Sequence, residues 1–224
     1  MKLLRRKPRS FDIQVQDMVL HISADTDFNE ESRAAALSFW EQLQAYALRN
    51  PGVRTSKRPI EEPDEAPTIV RELIRAARTA GVGPMYSFQG AVTDHVGRFL
   101  TRSTRDVTVA CGGDYFIAAR KRQKLTVFRG LTGGSLALVV PPTQEGLGIS
   151  TSAGRGRVAI DGLVVLASSC MLAEAAAAGV EAILPKEHGF RAALSYLRKV
   201  PGVLGGVVIA GEAIGVAGSV ELAA

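Results

Sequence analysis

From Val158 to Ala167 the chain is almost entirely apolar, and Ser168-Ser169 and an alanine-rich helical stretch, Cys170 to Ala178, follow at once. A strand with no polar face has to be covered on both sides. A helix built of alanine has little bulk, so it packs close to its neighbours, and Ser168-Ser169 supplies its cap. One charged residue, Glu174, stands in that helix among Ala173, Ala175, Ala176, Ala177 and Ala178. A carboxylate in such a position needs a partner: an arginine, a metal or a ligand.

The rest of the chain supplies the layers. Phe11 to Ile22 alternates apolar and polar residues on either side of Gln16-Asp17, the pattern of a hairpin. Asn29 is placed to cap a helix running to Arg49, whose apolar stripe of Ala36, Phe39, Trp40, Leu43, Tyr46 and Ala47 is core rather than a cofactor box. Asn50-Pro51-Gly52 stops it. Residues 54–67 hold three prolines and four acidic residues and read as a surface crossing. Helices are expected over 68–80, stopped by Gly81, and over 89–100, and a last one carries Phe190, Ala193, Leu194 and Leu197. Strands are expected over 106–110, 115–119, 125–128 and 136–140, with two more in the tail joined by a Gly211-Glu212 turn. This irregular interleaving with several hairpins predicts an α+β fold with a mainly antiparallel sheet, one domain over 11–224 preceded by a basic arm, 1–10.

The formal charge is +5, concentrated at Lys2, Arg5, Arg6, Lys7 and Arg9 and again over 120–124. No recognition motif or interleaved aromatics accompany these runs, which argues against a nucleic-acid binder. They leave a protein partner or a homo-oligomer open. Cys111 and Cys170 have no paired spacing for a metal site or a disulfide, so a reducing compartment fits. No signal-type or membrane-spanning apolar segment is seen, and a cytoplasmic protein is expected.

Candidate chemistry gathers at glycines. The stretch Gly146 to Arg157 packs four glycines, Ser150, Thr151 and Ser152, and Arg155 and Arg157 into twelve residues. It reads as a ligand loop, because glycine backbones admit close approach and arginine matches phosphate or carboxylate; an ordinary connector has the same composition. Gly81-Val-Gly-Pro-Met85 follows a helix directly and brings Gly83 and Met85 into the same class. Cys111-Gly-Gly-Asp114 is a tight turn in which Gly112 and Gly113 mark a close approach. Asp114 there caps the turn, or binds a ligand hydroxyl or a metal. Asp94 is either exposed or aimed at a site.

Taken in order, Ala66-Pro67, Gly81-Val-Gly-Pro-Met85, Gly90-Ala91 to Val96-Gly97, Cys111-Gly-Gly-Asp114, Gly148-Ile-Ser-Thr-Ser152 and Leu172-Ala-Glu-Ala-Ala-Ala-Ala178 resemble an uncharacterised branch of the ApbE-like superfamily, relatives of the bacterial FAD:protein FMN transferases. The resemblance covers about residues 11–222. It implies an ApbE-like fold, a flavin site of FAD or FMN lined by Gly112, Gly113 and Asp114, and a hydroxyl segment at Thr151 and Ser152 near the ligand phosphates. Glu174 and Ala178 fall where the transferases place the Asp and Thr of their magnesium motif. Ala178 brings no hydroxyl, and no histidine follows the hydroxyl segment, where Gly154-Arg-Gly-Arg157 and Asp161 stand instead. The resemblance therefore implies binding of a flavin, pterin or other phosphate-bearing cofactor, with arginines taking over phosphate neutralisation. The alternatives are a magnesium-dependent FMN transferase and an enzyme of one-carbon cofactor (methanopterin- or methanofuran-type) biosynthesis.

Overall fold

The computed structural model describes residues 8–131, 134–152 and 161–223, with side chains excluded over 129–134. The first strands, β1 (Arg9–Val15) and β2 (Met18–Ala24), form the expected hairpin, turning at Gln16 with φ +55. Three helices come next: α1 (Asn29–Arg49), the short α2 (Pro51–Thr55) and α3 (Thr68–Ala80). Asn29 is not a side-chain cap; it lies inside the helix, and its N–H is taken by the Asp27 carboxylate at 3.1 Å. Asn50-Pro51 ends α1 as expected, yet Pro51 also starts α2, since a proline at a first helical position sacrifices no hydrogen bond. Gly81, with φ +75, closes α3 in the left-handed conformation.

A one-turn 3-10 helix (Pro84–Ser87) leads into α4 (Phe88–Leu100). The strands β3 (Val107–Cys111), β4 (Asp114–Ala119), β5 (Gln123–Leu131), β6 (Gly134–Val140), β7 (Thr143–Ser152) and β8 (Gly162–Ala167) follow. The chain ends with α5 (Cys170–Ile183), α6 (Gly189–Lys199), β9 (Val203–Ala210), β10 (Ala213–Gly218) and β11 (Leu222–Ala223). Every ladder is antiparallel. Eight strands make one sheet in the order β1-β2-β3-β4-β7-β8-β9-β10, and β11-β6-β5 make a second. This is the α+β architecture expected from the sequence.

The two faces of β8 show why the large sheet sits centrally. Leu163, Val165 and Ala167 pack on Ala173, Ala176 and Val180 of α5 and on Ala193 and Leu197 of α6. Val164 and Leu166 face the small sheet through Leu138, Val140 and Phe128. At the other end, β1 to β4 bury Ile13, Leu20, Ile22, Val109 and Phe116 under α1, α3 and α4. Trp40 and Tyr46 belong to that core's margin, as their helical spacing requires.

One expectation is overturned. Gly146 to Ser152 is not a loop but the second half of β7, paired with β4 on one side and β8 on the other. Leu147 and Ile149 alternate with small residues that an adjoining helix demands: a Cβ on Gly148 would overlap the backbone of Ser169 and Cys170. Glycine here permits close strand-helix packing rather than a turn. The remainder of that stretch, with Arg155 and Arg157, lies outside the described residues, as do 158–160 of the apolar run.

Candidate functional site

Strand β7 runs alongside α5 in the same direction. Gly148 lies against Ser169 and Cys170 at the helix start, and Ser152 Oγ donates to Glu181 Oε1 at 2.9 Å farther along. Eleven helical residues separate Cys170 from Glu181, about 16 Å at 1.5 Å per residue. The candidate residues fall along this line.

The Gly112–Gly113 turn joins β3 to β4 with φ values of +59 and +111, backbone conformations that glycine alone takes without strain. Gly113 O accepts both from Thr151 N, at 2.9 Å, and from Thr151 Oγ1, at 2.9 Å. A Cβ on Gly113 would come within 2.8 Å of Thr151 O, and one on Gly112 within 2.8 Å of Gln89 Oε1. The turn is therefore clipped to the end of β7 and covered by the start of α4. In the next register pair Asp114 faces Ser150, both 5% exposed, and the Ser150 hydroxyl bonds the Asp114 carboxylate. The structure thus joins Gly112, Gly113, Asp114, Ser150, Thr151 and Ser152 into one cluster. It also shows that all three hydroxyls already have protein partners.

Two carboxylates from the helices complete the cluster. Asp94 of α4, 1% exposed, accepts from the N–H groups of Cys170 at 2.8 Å and Met171 at 3.0 Å. It is not an exposed residue but a clamp on the first turn of α5, set in the wall of a cleft. Ser169 caps that turn as expected, its Oγ accepting from Leu172 N at 3.1 Å. Glu174 finds a partner that the sequence did not offer: Gly90 N, in the first turn of α4, donates to Oε2 at 2.7 Å. A helix N-terminus is a good place for a carboxylate. Only glycine fits opposite, since a Cβ on Gly90 would lie 2.8 Å from Cys170 O.

These carboxyls hold protons more tightly than free ones. Burial pushes Asp94 up to about 6, against the pull of its two backbone donors. Burial pushes Asp114 up to about 7, with the Ser150 bond opposing and the Asp94 charge adding. Glu174 is driven upward by burial and then by the neighbouring Asp114, with the Gly90 bond opposing. The arrangement gathers negative charge that a proton or a cation would relieve. Among the described residues, however, no group of three or more His, Cys, Asp or Glu is placed to hold a metal ion. Cys111 and Cys170 are buried free thiols, Cys111 pushed up to about 12 by burial, so neither is a thiolate nucleophile at neutral pH.

Gly83 and Met85 lie in the segment that joins α3 to α4. A Cβ on Gly83 would overlap Ser56 O, so packing against the end of α2 accounts for the glycine there. Met85 sits half-buried in the 3-10 turn, which packs on α3 and α5. The basic run is largely committed. Arg120 grips Asp106 with Nε at 3.0 Å and Nη2 at 2.6 Å, and Arg122 pairs with Glu221 at 2.8 Å. Sequence reasoning quoted Gly90 only within the family resemblance and gave neither it nor Gln89 a role at the site; nothing within α4 points to their partners Glu174 and Gly112. It also missed a cleft of about 500 Å³ at the α5 N-terminus, lined by Glu72, Arg75, Asp94, Arg98, Glu145 and Ser169. No helix among the described residues is long and apolar enough to cross a membrane.

A central antiparallel sheet, helices on one face, and a glycine turn pinned beside a hydroxyl-bearing strand define an ApbE-like α+β fold. The solved flavin transferase ApbE of Vibrio cholerae superposes with a TM-score of 0.63 over 95% of this chain and 97% of its own, at 12% identity. The apo flavinyl transferase ApbE of Pseudomonas stutzeri gives 0.61 over 96% and 95%, at 14% identity. The chain belongs to the family described as AbpE bacteria, whose model matches residues 1–188. Among curated proteins, the UPF0280 protein of Methanosarcina acetivorans is 28% identical over 225 residues, covering 96% of this chain and 88% of that one. A UPF0280 protein of Methanosarcina barkeri is 29% identical over 228 residues, covering 96% and 90%.

Proposed function

We propose that this chain binds a flavin (FAD or FMN), a pterin or another phosphate-bearing cofactor around Gly112, Gly113, Asp114 and the Ser150–Ser152 end of β7, without FMN transfer of the transferase kind. The observation that carries the reading is the glycine turn. Two consecutive left-handed glycines are fastened to a hydroxyl-bearing strand end, in a fold shared with proteins named flavin transferases. Such a turn presents backbone to a ligand with no side chain in the way. Arg155 and Arg157, beyond Ser152 in the chain, are the cations in this reading that neutralise the cofactor phosphates.

The chain's residues do not fit the magnesium of the transferases. Glu174 Oε2 is engaged by Gly90 N, and Ala178 supplies no side-chain hydroxyl. A second reading, magnesium-dependent transfer, would draw on the carboxylates of Asp114 and Glu174, which the fold brings near one another. Magnesium accepts as few as one or two carboxylates when substrate phosphates complete its shell. Absorbance spectroscopy of the purified protein, followed by thermal denaturation with added FAD, FMN or a pterin, separates the readings. A bound chromophore, or a rise in Tm that survives EDTA, supports cofactor binding without metal; a rise that needs magnesium supports the second. No chromophore and no rise with any of the three defeats both.

A further inference from the structure

The two outer edges of the large sheet are built differently. The β1 edge carries Arg9, Asp12 and Gln14, with Asp12 paired to His21 at 2.7 Å, and charges of that kind keep an edge from meeting another strand. The β10 edge, Ala213-Ile-Gly-Val-Ala-Gly218, has no charged residue and no proline. Its Ile214 is 62% exposed and Val216 39%, and both stand on the face toward the small sheet, opposite Ile209 and Val207. Leu222 of β11, 42% exposed, ends the small sheet on the same side of the molecule. Both layers thus finish in an apolar strip.

One contact orients the backbone. Arg198 of α6 reaches around to donate from Nη2 to Val216 O at 3.2 Å, so that carbonyl points off the sheet. In an antiparallel ladder a residue's N–H and C=O point the same way and alternate along the strand. The N–H and C=O of Ile214 and Val216 therefore face outward, and Gly215 lies midway between them.

We propose that β10 is the seam of a two-fold symmetric homodimer, two copies of the strand pairing antiparallel about Gly215 to continue the sheet. Ile214 of each copy then faces Val216 of the other, and each such pair exchanges two backbone hydrogen bonds, Val216 O accepting on its second lone pair beside Arg198 Nη2. A two-fold interface requires this self-complementarity, and the pattern around Gly215 has it. Charge agrees as well. Glu212, exposed in the turn before β10, falls two positions along from the other copy's Val216, where that copy's Arg198 sits. Each copy supplies one cation and one anion to the seam. A six-residue edge with two large exposed apolar side chains, Ile214 and Val216, is small beside a permanent interface, so the dimer forms in a concentration-dependent equilibrium.

Sedimentation equilibrium of the full chain from about 5 to about 500 µM reads this directly, spanning the range in which small interfaces associate. The weight-average mass is expected to climb from 23.8 kDa toward twice that value. Ile214→Lys, which sets like charges across the seam, should hold the mass at the monomer value with an unchanged circular dichroism spectrum. Arg198→Glu should weaken association about tenfold, and adding Glu212→Arg should restore it. A wild-type protein that stays monomeric at the highest concentration overturns the proposal. So does association that Ile214→Lys leaves intact, which would place the interface elsewhere.

Discussion

Asp94 offers a measurable test of how burial and hydrogen bonding compete beside the candidate site. Its carboxylate accepts two backbone N–H bonds, which favour the charged form, yet burial outweighs them and the group titrates near 6 rather than at the ordinary 3.8. In the fold the proton is held more tightly than in the unfolded chain, so the folded state carries more protons between these values. Stability from this group is therefore complete below about pH 4 and declines as pH rises to about 6. At about 1.4 kcal/mol per pH unit, a gap of roughly two units amounts to about 3 kcal/mol.

Asp94→Asn removes the titration but keeps the shape. It also turns an amide toward one of the two N–H donors, a cost of about 1–3 kcal/mol that does not vary with pH. The variant's stability relative to wild type should therefore improve by about 3 kcal/mol between pH 4 and pH 7.5, whatever the constant offset. Urea denaturation followed by circular dichroism across that range gives the difference at each pH. A difference that stays flat with pH would show instead that the two donors offset burial fully.

Other outcomes follow from the same packing and charge. Asp114→Asn should likewise gain stability over wild type as pH rises from about 4 through 7, since burial raises Asp114 to about 7; chemical denaturation checks the sign. Gly148→Ala should lower stability by about 3 kcal/mol, because its methyl meets the backbone of Ser169 and Cys170, which cannot yield as a side chain would; thermal melts read the loss. Ser169→Ala removes the α5 cap and should cost about 1 kcal/mol in the same assay. Cys111 and Cys170 should resist iodoacetamide at pH 7.5 in the folded protein and react once it is unfolded, as a mass spectrometer would record.

What the sequence made legible was periodicity and punctuation. The stripe on α3 and its Gly81 stop, the hairpin at Gln16, and the doubly buried β8 were readable because each is encoded within its own segment. The wrong reading of Gly146 to Ser152 has a clear origin. A glycine required by a neighbouring helix looks, in sequence, the same as one required by a turn, and the Ser169–Cys170 backbone that dictates Gly148 is twenty-one residues away. Glu174 could be flagged as needing a partner, but nothing within α5 identifies Gly90 N, eighty-four residues earlier, as that partner. The Gly112–Gly113 turn was visible as a close approach; that it closes on Thr151 depends on the strand order β4-β7, which skips the β5–β6 hairpin.

Binding at that turn can be read by a fluorescence titration of FAD into the purified wild-type protein in the presence of EDTA. Flavin emission should be quenched saturably at one site per chain, with no requirement for magnesium. Flavin emission that stays unchanged to millimolar protein, with FMN and a pterin equally inert, would contradict it.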